Sequence, residues 1–192
     1  MINCCLCLSS DSCELTVDSN TVNRFLKLSE DNRTVTWVRK KQPYPGHPER
    51  FDGWPQLMCR EALTGRCYWE VERRGEVSIS VTYRGIRRRG GGGDGEFGWN
   101  DQSWSLDCYD GGYYVRHNKR GTHTSSSSTS SSSSGRVAVY LDHPAGSLSF
   151  YRVSSSSLIL LHTFRTTFTE PLYAGFGVCP DSSASLCPLC PL

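Results

Sequence analysis

Apolar and polar residues alternate along many short stretches of this chain, which predicts β-strands buried on one face. The clearest case is residues 77–83, Val-Ser-Ile-Ser-Val-Thr-Tyr, which alternate without a fault. In residues 137–151, two alternating runs flank a His-Pro-Ala-Gly turn, and this predicts a hairpin. Turn residues interrupt such runs roughly every 8–12 positions, which is typical of an all-β domain.

The whole pattern predicts about eleven to thirteen short strands and no helix longer than a turn or two. Besides those above, the predicted strands are 24–28, 34–37, 67–72, 104–108, 112–116, 158–164 and 172–178. Many short strands with frequent turns favour a two-layer antiparallel β-sandwich. Trp69 and Phe150 are expected to anchor its core, because large aromatic side chains bury the most apolar area.

Three stretches interrupt this pattern. Residues 40–54 contain three prolines and are predicted to form a loop, because proline lacks the backbone donor of a β-ladder. The glycine-rich residues 84–95 are predicted to be a mobile loop that holds no element. The serine-rich residues 122–135 and the N-terminal tail, 1–12, are predicted to be disordered, and 188–192 form a C-terminal tail.

Composition limits the function classes. A chain of 192 residues with a formal net charge of +2 fits one domain and does not favour a polyanionic partner. No apolar run approaches the ~20 residues of a transmembrane helix, so no membrane association is expected. Ten cysteines without a recognisable secretory leader predict reduced thiols in the cytoplasm. Cys67 and Cys108 are expected to be small buried apolar residues.

Motifs for cofactors or nucleic acid are weak. Gly90, Gly92 and Gly95 match G-x-G-x-x-G, but residues 97–104 do not begin a helix, so we expect no bound cofactor. Four arginines in residues 84–89 form a basic run, which could contact phosphates or an acidic partner. Because no aromatic residues are interleaved, a solvated loop is the default prediction and no nucleic acid is expected.

Motifs for metal binding or catalysis are equally weak. The cysteine clusters at 4–7 and 187–190 lie on the predicted tails, so we expect free thiols and no metal. The five histidines show no H-x-x-x-H spacing, and there is no G-x-S-x-G elbow. We therefore predict no enzyme, although a Ser-His-Asp site assembled from distant loops stays open at this point.

Several short sequence motifs in fixed order nevertheless resemble those of one family. They are the segment from Cys13 to Trp37, Pro-Glu-Arg-Phe-Asp-Gly-Trp at 48–54, Tyr-Trp-Glu-Val-Glu at 68–72, the hairpin at 137–151, and Glu-Pro-Leu-Tyr-Ala-Gly-Phe at 170–176. Together they resemble the B30.2 (PRY-SPRY) domain found at the C-terminus of tripartite-motif proteins and of a large group of NOD-like receptors. The resemblance implies a concanavalin-like jelly-roll sandwich over 13–187, with a PRY segment at 13–60 and a SPRY segment at 61–187.

The resemblance also implies a function. Such domains bind proteins or peptides through loops of the sandwich and catalyse nothing. We therefore expect a cytoplasmic recognition module, at the end of an innate-immune receptor or a ubiquitin-ligase protein. The alternative is a carbohydrate-binding or toxin-type secreted sandwich domain. Neither the partner's identity nor the oligomeric state follows from the sequence.

By position, the resemblance places the partner-binding surface on the proline-rich loop, the glycine-rich loop and the end of one strand. The candidate residues are Tyr44, His47, Arg50, Trp54, Arg84, Arg87, Asp107 and Tyr109. Tyr109 is expected to act as an anchor, because tyrosine offers contact area at low entropic cost. For Trp99 and Trp104, burial in the core and a position on this surface are equally expected.

Overall fold

The computed structural model describes residues 11–124, 134–155 and 157–188. In this part of the chain there are thirteen strands and a short 3-10 turn, Gly93–Gly95. The strands are β1 (Leu26–Leu28), β2 (Thr34–Trp37), β3 (Gln56–Met58), β4 (Arg66–Arg74), β5 (Val77–Tyr83), β6 (Ser103–Tyr109), β7 (Gly112–His117), β8 (Arg120–His123), β9 (Ser134–Asp142), β10 (Ser147–Val153), β11 (Leu158–Arg165), β12 (Leu172–Val178) and β13 (Ser183–Leu186).

The strands form two antiparallel sheets. One sheet has seven strands in the order β1-β2-β13-β4-β9-β10-β11, and the other has six in the order β3-β12-β5-β6-β7-β8. The predicted all-β antiparallel sandwich is therefore confirmed. Both sheets mix strands from early and late in the chain, so the N-terminal third does not fold as a separate layer.

The main core lies between the two sheets. On β5, Val77, Ile79 and Val81 point into it and are almost completely buried. Trp69 of β4 and Phe150 of β10 are also buried there, as predicted from their size. The intervening residues of β5, among them Ser78, lie on the outer face of the six-stranded sheet, because successive side chains point to opposite faces of a strand.

Three strands were missed from the sequence. All three residues of β3 are buried, so they show no alternation. β13 is Ser-Ala-Ser-Leu, which carries little apolar signal. All four residues of β8 are exposed, and its second half fell within the predicted disordered loop, 122–135. Residues 134 and 135 of that loop begin β9, which corrects the prediction there. Residues 125–133, and nearly all of both predicted tails, lie outside the described residues.

The glycine-rich loop after β5 was predicted to contain no secondary structure, and the structure corrects this prediction. It contains the 3-10 turn, and it folds back over the outer face of the six-stranded sheet. Phe97 packs there with Phe51, Met58 and Ile86 in a second, smaller core. The close approach requires glycine, because a Cβ on Gly175 would lie 2.7 Å from the ring of Phe97.

Residues 11–13 lie against β4, and they correct the expectation of reduced thiols for one pair of cysteines. The backbone N–H of Cys13 donates to the carbonyl of Tyr68, and the N–H of Tyr68 donates to the carbonyl of Asp11. This parallel pairing places Cys13 beside Cys67, and the two are joined by a disulfide with their Cα atoms 5.5 Å apart. Cys108 is a buried free thiol, as predicted.

Among the described residues, no helix is both long and apolar enough for a membrane span.

Candidate functional site

A pocket opens at one end of the outer face of the six-stranded sheet, beside the glycine-rich loop. Its volume is about 240 Å³. We call it the Glu96 pocket. It is lined by Trp54, Pro55, Gln56, Val77, Ser78, Glu96, Phe97, Asp107, Tyr109, Gly177, Val178, Cys179 and Pro180.

Three residues that lie side by side on neighbouring strands form the floor of the Glu96 pocket. Ser78 of β5 lies between Gly177 of β12 and Asp107 of β6 in neighbouring strands. All three point to the outer face, and two of them are small. The floor is therefore low enough to leave a cavity where the loop ends.

Hydrogen bonds to the glycine-rich loop fix one wall. The indole N–H of Trp54 donates to the carbonyl of Gly92 at 3.1 Å. The side-chain amide of Gln56 donates to the carbonyl of Gly95 and accepts from the N–H of Phe97. These contacts hold the loop against β3, so the pocket is formed by ordered backbone on both sides.

Asp107 is a buried carboxylate with a cationic partner. It is 7 % exposed, and its Oδ2 lies 2.6 Å from Nε of Arg116 on β7. Burial raises the pKa of Asp107, while hydrogen bonds from Ser78 and the charge of Arg116 oppose the rise. The guanidinium of Arg116 also lies over the Trp99 ring at 4.9 Å. The charge of Asp107 is thus neutralised within the fold.

Glu96 is the second carboxylate of the pocket, and its situation differs. It is half-buried, and no hydrogen bond or ion pair from the described residues reaches its carboxylate. Burial raises the pKa of Glu96 to about 7; the neighbouring Asp107 adds to the rise, and Arg116 opposes it. The pocket therefore holds a carboxylate that changes charge near neutral pH.

Family-wide sequence patterns cover nearly all of the described chain. The PRY pattern, a SPRY-associated domain, matches residues 15–63, and the SPRY domain pattern matches residues 66–188. The chain belongs to the B30.2 (PRY-SPRY) family. The resemblance inferred from the sequence motifs is thereby confirmed.

Relatives of this B30.2 domain include toxin subunits and tripartite-motif proteins. It is 40% identical over 171 residues to stonustoxin subunit alpha of Synanceia horrida, covering 88% of this chain and 24% of the toxin subunit. It is 34% identical over 176 residues to tripartite motif-containing protein 16 of Mus musculus, covering 90% of this chain and 31% of that protein.

A solved structure agrees with the fold. The TRIM65 PSpry domain superposes with a TM-score of 0.84 at 27% identity, covering 95% of this chain and 94% of that domain. The chain spans only a quarter to a third of the length of the two sequence relatives above. The family assignment supports a protein-interaction module.

Three of the eight predicted partner-binding residues of this B30.2 domain meet in the Glu96 pocket. They are Trp54, Asp107 and Tyr109. Tyr109 is half-buried and meets the ring of Tyr114 edge-on at 5.6 Å. Asp107 contributes to the floor and is not an exposed contact. Of the two undecided tryptophans, Trp104 is in the core and Trp99 is half-buried under Arg116.

Arg50 was predicted to contact a partner, but the structure places it inside the fold. The side chain is buried, with 6 % exposed. Its guanidinium donates to the carbonyls of Pro45, Ser19 and Val22 at 2.6 to 3.1 Å. Arg50 therefore ties the proline-rich loop to the start of the chain, and it has no surface to offer a partner.

Arg50 is one member of an arginine cluster, which we define as Glu49, Arg50, Arg84 and Arg88. Arg88 is also largely buried; it donates to Glu49 at 3.0 Å and to the carbonyls of Arg84 and Ile86. Arg84 is more exposed; its guanidinium lies 3.4 Å from Glu49 and 5.3 Å from the ring centre of Tyr173. Two of the four arginines of the basic run are thus paired with Glu49, and of these Arg88 is bonded to carbonyls of its own loop.

The other three predicted residues do not line the Glu96 pocket. Arg87 is exposed and lies 3.6 Å from Asp94 within its own loop. The hydroxyl of Tyr44 donates to the carbonyl of Leu26 at 3.0 Å, so Tyr44 fastens the proline-rich loop to β1. His47 Nδ1 accepts the N–H of Glu49 at 3.2 Å, which shapes a local turn.

Sequence reasoning missed Glu96, Phe97, Cys179 and Pro180 as pocket residues. No local pattern marks them, because each reaches the pocket through the folding of a loop. Within residues 11–124, 134–155 and 157–188, no group of three or more His, Cys, Asp or Glu side chains is arranged to hold a metal ion. The predicted thiol clusters at the termini lie mostly outside that part of the chain.

Proposed function

We propose that this B30.2 domain recognises a peptide segment of a protein partner in the Glu96 pocket and carries out no chemical conversion. The observation that carries the proposal is an open, largely apolar cavity between Trp54 and Tyr109 on a rigid sheet. Aromatic residues at a concave site are typical anchors of binding. With a volume of about 240 Å³, the pocket fits one ligand side chain, not a whole folded surface.

The wider setting of the proposal rests on the family. In a longer protein, the domain would be the terminal recognition unit of a tripartite-motif ubiquitin ligase or of an innate-immune receptor in the cytoplasm. The likeness to tripartite motif-containing protein 16 supports the first setting. Neither the location nor the whole protein's activity follows from the domain, and both stay predictions.

The proposal is tested by peptide selection on the full chain. A phage-displayed library of random linear peptides is panned on the full chain, and the affinities of the selected peptides are measured by fluorescence anisotropy. Tyr109→Ala and Trp54→Ala are each expected to weaken binding about tenfold or more, as for hot-spot residues. Tyr151→Ala, a half-buried tyrosine on β10 of the other sheet, is the matched control and should leave affinity unchanged.

Two results would overturn the proposal. One is a library that yields no peptide with saturable binding. The other is a set of peptides that bind Tyr109→Ala and Trp54→Ala as tightly as wild type. Circular dichroism of each variant establishes that it is folded before its affinity is measured.

A second candidate is a domain of a secreted toxin subunit. The 40% identity to stonustoxin subunit alpha and the Cys13–Cys67 disulfide support it. Mass-spectrometric mapping after native purification should then find Cys13 and Cys67 joined. A glycan array distinguishes the carbohydrate-binding form of this candidate, since peptide recognition predicts no glycan signal.

A further inference from the structure

The backbone of Glu96 is held by hydrogen bonds, but its carboxylate has no hydrogen bond or ion pair from the described residues. The carbonyl of Glu96 accepts from the side-chain amide of Asn100 at 2.8 Å and from the N–H of Trp99 at 3.2 Å. Its own N–H donates to the carbonyl of Gly93. The backbone is therefore held, while the described residues supply no donor to the carboxylate. A half-buried charge without a partner is costly, and proteins generally pair such groups.

The cation nearest to the pocket is already engaged. Arg116 lies 2.6 Å from Asp107 and is covered by Trp99 on one face. No lysine, arginine or histidine lines the cavity, whereas two carboxylates do. Asp107 is paired with Arg116, so the ionised form of Glu96 is the carboxylate of the lining that disfavours an anionic ligand group.

The remaining lining suits a long aliphatic chain. Pro55, Phe97 and Pro180 provide apolar walls, and Trp54 adds an indole. Lysine and arginine side chains bury an aliphatic stem on apolar surface while the charged end finds a polar partner. Aromatic rings also attract cations. The pocket is smaller than the ~300–1,000 Å³ of drug-sized sites, which matches a single side chain.

We propose that the Glu96 pocket selects a lysine or arginine side chain of the partner, with its stem against the apolar walls and its cation paired with the Glu96 carboxylate. This inference rests on the proposed peptide-binding function and adds the chemical class of the ligand. A purely apolar ligand would shut the carboxylate away from water without a partner. A cation replaces the lost water and supplies the missing counter-charge.

The inference predicts that the affinity for a basic peptide depends on pH. The groups that face Glu96 are Asp107, Tyr109, Arg116 and Cys179, with Glu76 beside the last. Burial raises the pKa of Tyr109 and of Cys179 above their ordinary values, so both stay neutral in weak acid. Because the pKa of Glu96 is about 7, a basic peptide should bind more weakly at about pH 5.5 than at about pH 7.5.

The experiment pans one random peptide library in parallel on the full-length wild type, Glu96→Gln and Asp94→Asn. Asp94 is an exposed carboxylate of the same loop and serves as the matched control. Wild type and Asp94→Asn should both enrich one Lys or Arg position, and Glu96→Gln should not. Replacing that residue with norleucine should cost about tenfold in affinity on wild type and little on Glu96→Gln, as a double-mutant cycle measures.

A second measurement uses unmodified protein, so it does not depend on a variant. From about pH 7.5 to about pH 5.5 the affinity for the basic peptide should fall roughly five- to tenfold, because protonated Glu96 no longer supplies the counter-charge that is worth about tenfold in affinity. The norleucine peptide should show no such fall. Peptides that lose affinity on Tyr109→Ala yet show no basic preference and no pH effect would overturn this inference while leaving the proposed function intact. Peptides indifferent to both Tyr109→Ala and Trp54→Ala would overturn both.

Discussion

The arginine cluster and the Glu96 pocket both remove charged side chains from water, and they lie on either side of the same glycine-rich loop. In the cluster, Arg50 donates to three carbonyls, and Arg88 meets Glu49 and two more carbonyls. In the pocket, Asp107 has Arg116, but nothing described reaches the carboxylate of Glu96. The charges of the arginine cluster have partners within the fold, whereas the Glu96 carboxylate is the one that our proposal pairs with a ligand.

This difference separates two kinds of residue that look alike in a sequence. Arg50 and Glu96 are both charged residues in loops rich in glycine or proline. Burial alone does not show whether a charged side chain stabilises the fold or is available to a ligand. The partners of the charged group show it, because an ion that is already paired within the protein gains little from a new counter-ion.

The largest expected effect tests the arginine cluster. Arg50→Met should lower the free energy of unfolding by about 3 kcal/mol, because it leaves the buried carbonyls of Ser19, Val22 and Pro45 without their donor. Urea unfolding followed by tryptophan fluorescence measures the loss. Arg87→Met, at an exposed site of the neighbouring loop, is the control and should change stability by less than about 0.5 kcal/mol. A loss below about 1 kcal/mol for Arg50→Met would mean that the cluster does not stabilise the fold.

The next effect tests the docking of the loop that separates the two regions. Gly175→Ala places a Cβ 2.7 Å from the Phe97 ring and 3.1 Å from the carbonyl of Leu57. Overpacking of this kind should cost about 1–3 kcal/mol in urea unfolding. Gly91→Ala is the control, since its Cβ meets nothing within 4 Å. Equal stability of the two variants would show that the loop is not pressed against the sheet.

A smaller effect tests the unpaired charge. The folded-state pKa of Glu96, about 7, lies above its ordinary 4.5, so the native state holds its proton longer than the unfolded state as pH rises. Wild type therefore loses stability between about pH 4.5 and pH 7. After allowance for solvent screening at this half-exposed site, Glu96→Gln should be more stable than wild type by about 1 kcal/mol at pH 8 and equal to it at pH 4.5.

The check is urea unfolding of both proteins at the two pH values. Asp94→Asn is measured alongside and should show no such pH-dependent difference from wild type. A Glu96→Gln variant that is less stable than wild type at pH 8 would indicate that the carboxylate already has a stabilising partner.

The smallest effect concerns the exposed member of the arginine cluster. Arg84 shares Glu49 with Arg88, but it is largely solvated. Arg84→Ala should cost no more than about 0.5 kcal/mol, as exposed ion pairs do. A loss comparable to that of Arg50→Met would show that surface charge, and not the bonds to carbonyls, holds the loop.

Much of the fold could be predicted because burial on one face of a strand leaves a period of two in the sequence. Residues 77–83 show it cleanly, and they are β5 with the same bounds. Ser80 and Thr82 on the outer face of β5 are buried as well, but they are polar, so the period of two stays visible. β3 was not predicted because its three residues show no alternation, and β13 because serine and alanine carry no apolar signal. The resemblance named Trp54, Tyr109 and Arg50 alike as partner-binding candidates, but only Trp54 and Tyr109 line the pocket, and Arg50 is buried.

Alternation of side chains along each strand is a local property, so the amino-acid sequence by itself determined the sandwich and its core anchors. The family followed from the resemblance of several motifs in fixed order. Only the tertiary structure decided that a glycine-rich loop lies on the outer face of the six-stranded sheet and half-buries Glu96. The solvation of a charged group depends on every element around it. Those elements, β3, β6, β12 and the loop, are far apart in the chain.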